Sequence, residues 1–222
     1  MIINKSIDFD QKQNFIFDMD GTLVDSMYVW DNLMEDFLKR HGYETPPALQ
    51  REVASMSLKQ SSALVSEMFD LGLSANEIYE EWRGMIYDGY AHSIKAKPGA
   101  KEYLEMIKNQ GKSIALATAN ARELTEVCLK NNGMLEYFDV LVFADDVGKG
   151  KSSPDIYIET MRQIGAETEN TVLFEDILEA LNTARKIGLD VVIAADAASA
   201  SDREELQKSA DIYITNFTEL IY

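Results

Sequence analysis

The pattern of apolar and polar positions divides this chain into two kinds of sequence. Short, continuous apolar runs occur at residues 15–17, 113–117, 140–144, 171–174, 191–193 and 212–214. Runs of this length and composition are typical of strands buried on both faces of a sheet. After Pro98-Gly99 they alternate regularly with helical segments. The pattern therefore predicts an α/β fold, with a doubly wound parallel sheet and a Rossmann-like core.

The long interval between the first two strands has a different pattern. It is far longer than a single crossover helix requires. Its apolar positions recur with helical spacing, as in the stripe that includes Leu33, Phe37 and Leu38, and Ser74 with Glu77 forms a predicted capping box. We therefore expect residues 24–94 to be an inserted helical bundle. Residues 1–23 and 95–222 are then the α/β core.

Two local features of the second half complete the predicted elements. Ser153 is a candidate cap for a helix whose first turn contains Pro154. Residues 194–201 are rich in alanine and serine, which indicates a surface loop without a functional role.

Composition and charge narrow the possible partners. The 222 residues suffice for one large domain or for one domain plus an insertion, and the 46% hydrophobic content supports a core. The net charge is −17. A surface this acidic repels nucleic acid and anionic membranes, so neither is an expected partner. It also repels phosphorylated molecules, so a phosphate site here would need a metal and a lysine to compensate.

Cysteine content and the apolar runs bear on the compartment. The single cysteine, Cys128, excludes an internal disulfide and lies on an apolar helix face, where it is expected to be buried. The chain starts without a charged-then-apolar leader pattern and has no long apolar run. These features predict a cytoplasmic protein.

Candidate chemistry begins at the end of the first strand, with Asp18 and Asp20. Ligands of open α/β sheets bind at the carboxyl ends of strands, and side chains two residues apart on an extended chain share a face. Two carboxylates placed this way repel each other unless a cation lies between them or one is protonated. Both solutions are useful in catalysis.

The decapeptide from Phe17 to Ser26, read as Phe-Asp-Met-Asp-Gly-Thr-Leu-Val-Asp-Ser, resembles motif one of the haloacid dehalogenase-like hydrolases. Most members are magnesium-dependent phosphatases that form an aspartyl-phosphate, a recognised form of carboxylate nucleophilic catalysis. The resemblance extends over essentially the whole chain. It implies a phosphatase core with Mg²⁺ as cofactor.

Motifs two and three of the family have counterparts after later strands. Thr118-Ala119-Asn120 follows the second core strand, where a hydroxyl and backbone amides can hold phosphate oxygens. Lys151 resembles the lysine of motif three, although Ser152 replaces the usual proline. Lys149 is the alternative, and the spacing to Pro154-Asp155 favours Lys151.

Motif four corresponds to Glu175-Asp176, which follows another apolar run. The resemblance implies a magnesium site formed by Asp18, the backbone carbonyl of Asp20 and Asp176, with Glu175 helping directly or through water. Such oxygen donors suit this ion. Ile177 and Leu178 depart from the small residues that the family carries there, and could narrow the site or alter its loop.

The resemblance also assigns roles to these residues. Asp18 would be the nucleophile, Asp20 the general acid and then the base, and Lys151 a cation that balances charge. Thr22 would support the loop through its hydroxyl. The expected phosphate donors are the backbone amides of Met19, Asp20 and Ala119.

The inserted bundle resembles the helical cap of the subgroup that includes β-phosphoglucomutase and many sugar-phosphate phosphatases. Such a cap would determine specificity for a small phosphorylated metabolite, and capped relatives are often monomers. Lys59 lies near the position where the phosphomutase uses an arginine to bind a second phosphate. The alternative interpretation, given equal weight, is that Lys59 is a solvated lysine on a helix.

Three functions remain open from the sequence. A phosphomonoester hydrolase leads, a β-phosphoglucomutase-like phosphotransferase follows, and a catalytically silent phosphate-binding protein is the third. Loss of halide is disfavoured, because relatives with that activity lack the aspartate found here as Asp20.

Overall fold

The computed structural model describes residues 1–46, 49 and 58–221. The chain divides into two compact units, a core unit of Met1–Ser26 with Ile94–Tyr222 and a helical unit of Met27–Ser93. Among the described residues, no helix has the length and apolarity that crossing a bilayer requires.

The core unit is organised around one sheet. The described strands are β1 (Ile2–Ile3), β2 (Asn14–Phe17), β3 (Val24–Asp25), β4 (Lys95–Ala96), β5 (Ser113–Thr118), β6 (Val140–Phe143), β7 (Thr171–Glu175), β8 (Asp190–Ala194) and β9 (Ile212–Ile214). Seven of them pair in the order β1-β9-β8-β7-β2-β5-β6. Every pair in this sheet is parallel except β1 with β9. The predicted α/β class with a mostly parallel sheet is confirmed.

Helices connect these strands and form the second unit. The described α-helices are α1 (Met27–Arg40), α2 (Leu58–Met68), α3 (Ala75–Asp88), α4 (Ala100–Asn109), α5 (Arg122–Asn131), α6 (Ala144–Val147), α7 (Asp155–Ile164), α8 (Leu178–Lys186) and α9 (Arg203–Ser209). The chain leaves the core unit through β3 and returns through β4, and these two strands pair antiparallel. Both ends of the insertion are therefore anchored to each other within the core unit.

Both faces of the central strand β2 are buried because its side chains alternate between two apolar layers. The Phe17 ring stacks on Phe174 with 4.5 Å between centroids, and Tyr103 and Phe217 extend this aromatic layer. Ile16 belongs to the buried cluster on the opposite face. Burying each such side chain contributes about 1.5–3 kcal/mol. The central strands are thus a rigid support for the loops at their carboxyl ends.

The helical unit has its own small core. Phe37 of α1 and Trp82 of α3 are fully buried and meet edge to face with 5.6 Å between centroids. The predicted capping box is confirmed, since the Ser74 hydroxyl accepts from the Glu77 amide and the Glu77 carboxylate accepts from the Ser74 amide. A single π-helical turn, Gly89–Ser93, follows α3.

Some boundaries differ from the prediction for local reasons. Ala144 begins α6 and does not extend β6. Ser153 does not cap α7: its hydroxyl bonds to the Asp155 carboxylate, and Pro154 occupies the cap position. The short edge strand β1 was not predicted, because an isolated Ile-Ile pair carries no periodicity.

Candidate active site

The loop after β2, residues 18–24 and here called the acid loop, is a tight turn. The Met19 carbonyl accepts the amides of Thr22, Leu23 and Val24 at 3.3, 2.9 and 3.1 Å. Gly21 has φ +78°, and a Cβ there would lie 2.2 Å from the Asp176 Oδ2 atom. Only glycine satisfies both the backbone conformation and this close approach.

The structure places Asp18, Lys151, Glu175 and Asp176 together in one buried group, here called the ionic cluster. Lys151 Nζ pairs with Asp18 Oδ1, and lies 2.6 Å from Glu175 Oε1. The Lys151 side chain is 8% exposed, whereas Lys149 is 59% exposed and pairs with Asp155 outside the cluster. The two candidate lysines therefore have different surroundings, and of the two only Lys151 contacts carboxylates of the ionic cluster.

Three carboxylates of the ionic cluster could hold a metal ion. One oxygen from each of Asp18, Glu175 and Asp176 lies within 4.8 Å of the others. All three residues are buried, and carboxylate oxygens are the donors that Mg²⁺ prefers. When ionised, three buried carboxylates carry more negative charge than the single Lys151 ammonium balances, so this donor set fits a divalent cation. The Asp20 side chain is not one of these three carboxylates. The prediction for Asp20 concerns its backbone carbonyl, and it stays a prediction.

Burial is the largest cause of the pKa shifts of Asp18 and Asp176. Loss of solvent raises the pKa of Asp18 to about 7, against the opposing attraction of Lys151. Loss of solvent, reinforced by the Asp18 and Glu175 carboxylates, raises the pKa of Asp176 to about 9. Burial opposes the charge of Lys151, yet Asp18 and Glu175 hold its pKa above its ordinary value. In the metal-free protein, protons therefore compete with any cation for Asp18 and Asp176.

Two neutral donors among the described residues contact Asp20. The Ser26 hydroxyl donates to Asp20 Oδ1 at 2.6 Å, and the side-chain amide of Asn120 donates to Oδ2 at 2.8 Å. Asn120 was predicted to contact phosphate and here holds this carboxylate. Ser26 is the last residue of the decapeptide and was assigned no role in the site from the sequence; its hydroxyl is directed to Asp20.

The remaining predicted residues of the core unit lie around the same strand ends. Thr118 is buried at the end of β5. Its hydroxyl accepts a hydrogen bond from the backbone amide of Asn120 at 3.1 Å. Ala119 is exposed and Met19 is buried. The Thr22 hydroxyl lies 3.2 Å from Asp176 Oδ1 and 3.5 Å from Asp18 Oδ2, so it links the acid loop to the residue that follows β7.

The departures from the family pattern have simple structural outcomes. Ile177 and Leu178 are partly buried and pack against the hydrophobic cluster of the core. Ser152 is exposed, and its carbonyl accepts the Thr183 hydroxyl at 3.4 Å. Lys151 is nevertheless buried against Asp18, so a serine in place of proline is compatible with that contact.

Lys59 lies outside this group. It is exposed on the first turn of α2 in the helical unit, and its Nζ is 5.7 Å from the centroid of the Tyr79 ring. Its role in binding a second phosphate stays a prediction.

Several residues near the site were not found from the sequence. The Tyr157 hydroxyl donates to Glu175 Oε1 at 3.0 Å, and burial raises the pKa of Tyr157, so it remains a donor. Lys97 and Asp196 form a buried ion pair of 2.9 Å, although residues 194–201 were interpreted as a loop without function. No motif marks these positions, because a lone tyrosine, lysine or aspartate in sequence resembles any other.

Comparison with known proteins agrees with this geometry. Residues 15–194 match the model of the family described as haloacid dehalogenase-like hydrolase. The chain is 24% identical over 210 residues to a phosphorylated carbohydrates phosphatase of Thermotoga maritima, covering 93% of this chain and 95% of that protein. It is 25% identical over 205 residues to the validoxylamine A 7'-phosphate phosphatase of Streptomyces hygroscopicus subsp. limoneus, covering 92% and 94%.

Solved structures show the same fold. CbbY from Rhodobacter sphaeroides, determined in complex with phosphate, superposes with a TM-score of 0.74 at 24% identity, covering 95% of this chain and 96% of that one. A β-phosphoglucomutase from Clostridium difficile superposes with a TM-score of 0.67 at 18% identity, covering 95% and 94%. Since the family model spans most of the chain, and the acidic motifs converge at one sheet edge as the resemblance implied, the protein belongs to the haloacid dehalogenase-like hydrolase family.

Proposed function

We propose that the protein is a magnesium-dependent phosphatase of small phosphorylated metabolites, working through an aspartyl-phosphate on Asp18. One observation carries the proposal: Asp18 is buried against Lys151 and lies beside two further carboxylates. A metal centre alone needs no lysine on one of its ligands. A lysine there would neutralise the charge of a phosphoryl group as it arrives.

In the first half of the proposed reaction, an Asp18 carboxylate oxygen attacks phosphorus. The bond from phosphorus to the ester oxygen breaks, and Asp20 gives its proton to that leaving oxygen. In the second half, Asp20 takes a proton from water, whose oxygen attacks phosphorus. The bond from phosphorus to Asp18 then breaks and phosphate leaves.

The other residues hold this arrangement. Lys151 keeps its ammonium between Asp18 and Glu175, where it offsets negative charge throughout the reaction. Ser26 and Asn120 orient Asp20. Mg²⁺, held by Asp18, Glu175 and Asp176 with the Asp20 carbonyl, would supply Lewis-acid polarisation of phosphoryl oxygens.

Phosphorylated sugars are the proposed substrate class. The support is that relatives covering nearly the whole chain are named as phosphatases of phosphorylated carbohydrates and of a phosphorylated validoxylamine. The monomeric state and the cytoplasmic location remain predictions from the sequence.

The test is hydrolysis of p-nitrophenyl phosphate with Mg²⁺ or with EDTA, by the wild-type protein and by Asp18→Asn and Asp20→Asn. Magnesium-dependent release that is lost in both variants is expected, and would justify screening sugar phosphates. Unimpaired release by Asp18→Asn would overturn the covalent mechanism. A folded wild-type protein that binds Mg²⁺ and phosphate but hydrolyses no ester would favour the silent binding protein.

A β-phosphoglucomutase-like transfer is the second candidate, because Lys59 presents an exposed ammonium in the helical unit. Interconversion of glucose 1-phosphate and glucose 6-phosphate, with glucose bisphosphate as activator, tests it. Lys59→Ala should then lower the transfer and spare hydrolysis of p-nitrophenyl phosphate.

A further inference from the structure

Lys97 is a buried lysine that belongs to none of the sequence motifs. Its side chain is 8% exposed. Its Nζ donates to the Gly21 carbonyl, lies 2.6 Å from the Ala195 carbonyl and pairs with Asp196 Oδ2 at 2.9 Å. An ammonium has three donors and no acceptor, so these three acceptors satisfy it completely.

The contacts of Lys97 join three segments of the core unit. Its backbone amide donates to the Leu23 carbonyl at 2.8 Å, so Lys97 contacts the acid loop through both main chain and side chain. It lies one residue after β4, at the return of the chain from the insertion. Ala195 and Asp196 follow β8. The Lys97 ammonium therefore links the acid loop to the segment that follows β8.

The Gly21 carbonyl has a direct geometric link to the ionic cluster. It belongs to the same peptide group as the Thr22 amide, and the Thr22 hydroxyl lies 3.2 Å from Asp176 Oδ1. Gly21 itself packs so closely on Asp176 that a methyl group would not fit. A rotation of this peptide would thus move Thr22 and press Gly21 against a predicted metal ligand.

We propose that Lys97 is a positioning residue that fixes the Gly21–Thr22 peptide and thereby sets the distance between the acid loop and Asp176. The effect on turnover rests on the proposed function. The effect on the carboxylate triad does not, because the triad would bind a metal ion whether or not it hydrolyses an ester.

The competing explanation is that Lys97 only neutralises Asp196. The Asp196 side chain is 4% exposed, and removing one partner of a buried ion pair leaves an uncompensated charge. Asp196 Oδ1 also accepts the Ala198 amide at 2.9 Å, which asparagine at this position can still do. Asp196→Asn therefore removes the charge, and its one amide oxygen can accept either from the Ala198 amide or from Lys97.

A cycle of three variants separates the two explanations: Lys97→Met, Asp196→Asn and the double variant. Each is measured for kcat and KM with p-nitrophenyl phosphate, for Mg²⁺ affinity by calorimetry, and for Tm. We expect Asp196→Asn to keep kcat and Mg²⁺ affinity, because Lys97 still binds Gly21. Lys97→Met should lose kcat by about a hundredfold with little change in KM, as displaced catalytic groups do.

The double variant decides the matter. We expect it to recover the Tm that Lys97→Met loses but not its kcat, with Mg²⁺ affinity about tenfold weaker or more, as for other lost supports of metal ligands. Recovery of wild-type kcat and Mg²⁺ affinity in the double variant would show that Lys97 only balances Asp196. Failure of the double variant to fold would overturn the proposal too, since Lys97 would then be a general structural requirement.

The two proposals can fail separately. Suppose that the wild-type protein hydrolyses no ester, but that Mg²⁺ binding is weaker in Lys97→Met and also in the folded double variant. The proposed function then fails and the positioning role stands. If wild-type hydrolysis is robust and every variant binds Mg²⁺ and turns over like the wild type, only the role of Lys97 is lost.

Discussion

Asp18 and Asp20 lie two residues apart in the acid loop, yet the contacts that the structure describes for them differ in kind. Asp18 lies in the ionic cluster, against the Lys151 ammonium and beside two carboxylates. Asp20 is held at both oxygens by neutral groups, the Ser26 hydroxyl and the Asn120 amide. Among the contacts that the structure describes, Asp18 has an ammonium partner and Asp20 has two neutral donors.

This difference bears on how two identical side chains can do different work. A carboxylate that must carry a phosphoryl group benefits from a fixed cation and from the exclusion of water. A group that must give and then take a proton needs partners that accept both of its states, and a hydroxyl or amide does so without a change in charge. In the proposed mechanism, the loop thus places a nucleophile and an acid–base group two residues apart, each with different described neighbours.

The largest expected effect comes from removing the charge beside Asp18. Lys151→Met should lower kcat for p-nitrophenyl phosphate by about a thousandfold, the scale of losing one electrostatic donor in a preorganised site. The matched control is Lys149→Met, which removes an exposed lysine two residues away and should leave kcat unchanged, since that ion pair is on the surface.

Steady-state kinetics and circular dichroism on both variants decide this prediction. If Lys149→Met were the damaging change and Lys151→Met were active, the alternative lysine considered from the sequence would be the functional one, and the ionic cluster would be only a structural feature.

Weakening the hydrogen bonds to Asp20 should have a smaller effect. Ser26→Ala and Asn120→Ala each remove one donor, and a hydrogen bond to a charged group contributes about 1.5–3 kcal/mol, so kcat should fall about tenfold or more for each. Their combination should approach the rate of Asp20→Asn.

The split between kcat and KM sharpens the assignment of Asn120. A fall in kcat alone supports its role as a support for Asp20. A rise in KM with unchanged kcat would mean that Asn120 contacts the substrate phosphate, as the family resemblance implied.

The contrast between the two aspartates also marks what could be predicted from the sequence. The succession of core strands along the chain and the acidic motifs at their ends were predictable, and spacing favoured Lys151, because apolar periodicity and contiguous motifs are local properties of the chain. The donors on Asp20 and Glu175 were not, since Ser26, Asn120 and Tyr157 come from separate elements. Their meetings depend on sheet order and on loop geometry, as does the pairing of Lys97 with Asp196.

Titration of Asp18 and Asp176 should make stability depend on pH and on metal. The pKa values of Asp18 and Asp176 rise from 3.8 to about 7 and about 9 in the folded protein. Between these limits the folded state binds more protons than the unfolded state, so their contribution is full below 3.8 and lost as pH rises toward 7 and 9. In EDTA the Tm should therefore fall as pH increases through this window.

Mg²⁺ should reverse that trend, because it binds the ionised carboxylates and so stabilises more at high pH. Thermal unfolding at pH 5.5 and pH 8.5, each with EDTA or Mg²⁺, measures both effects. About 1 kcal/mol corresponds to a shift of about 2–4 °C in a protein of this size. Asp176→Asn is the control, and its Tm in EDTA should depend less on pH; an equally steep dependence would assign the titration to other groups.

Tyr157→Phe should give the smallest effect. It removes the hydroxyl that donates to Glu175 Oε1 at 3.0 Å, an oxygen that Lys151 also contacts at 2.6 Å. The expected loss is about 1 kcal/mol of unfolding free energy, the usual contribution of one hydrogen bond, with kcat and Mg²⁺ affinity reduced only severalfold. Urea unfolding and Mg²⁺ calorimetry measure the two quantities. Tyr43→Phe, which loses a 2.9 Å bond to the Asp70 carbonyl in the helical unit, should leave Mg²⁺ affinity unchanged.

The size of the Tyr157→Phe effect tests the comparison itself. Glu175 is held mainly by a charge, so loss of a neutral donor should matter less there than loss of Ser26 or Asn120 matters at Asp20. If Tyr157→Phe instead reduced turnover as much as Asn120→Ala, neutral donors would be as important in the ionic cluster as around Asp20. Orientation of Glu175 by the tyrosine, in addition to its pairing with Lys151, would then have to be counted as part of what prepares Asp18.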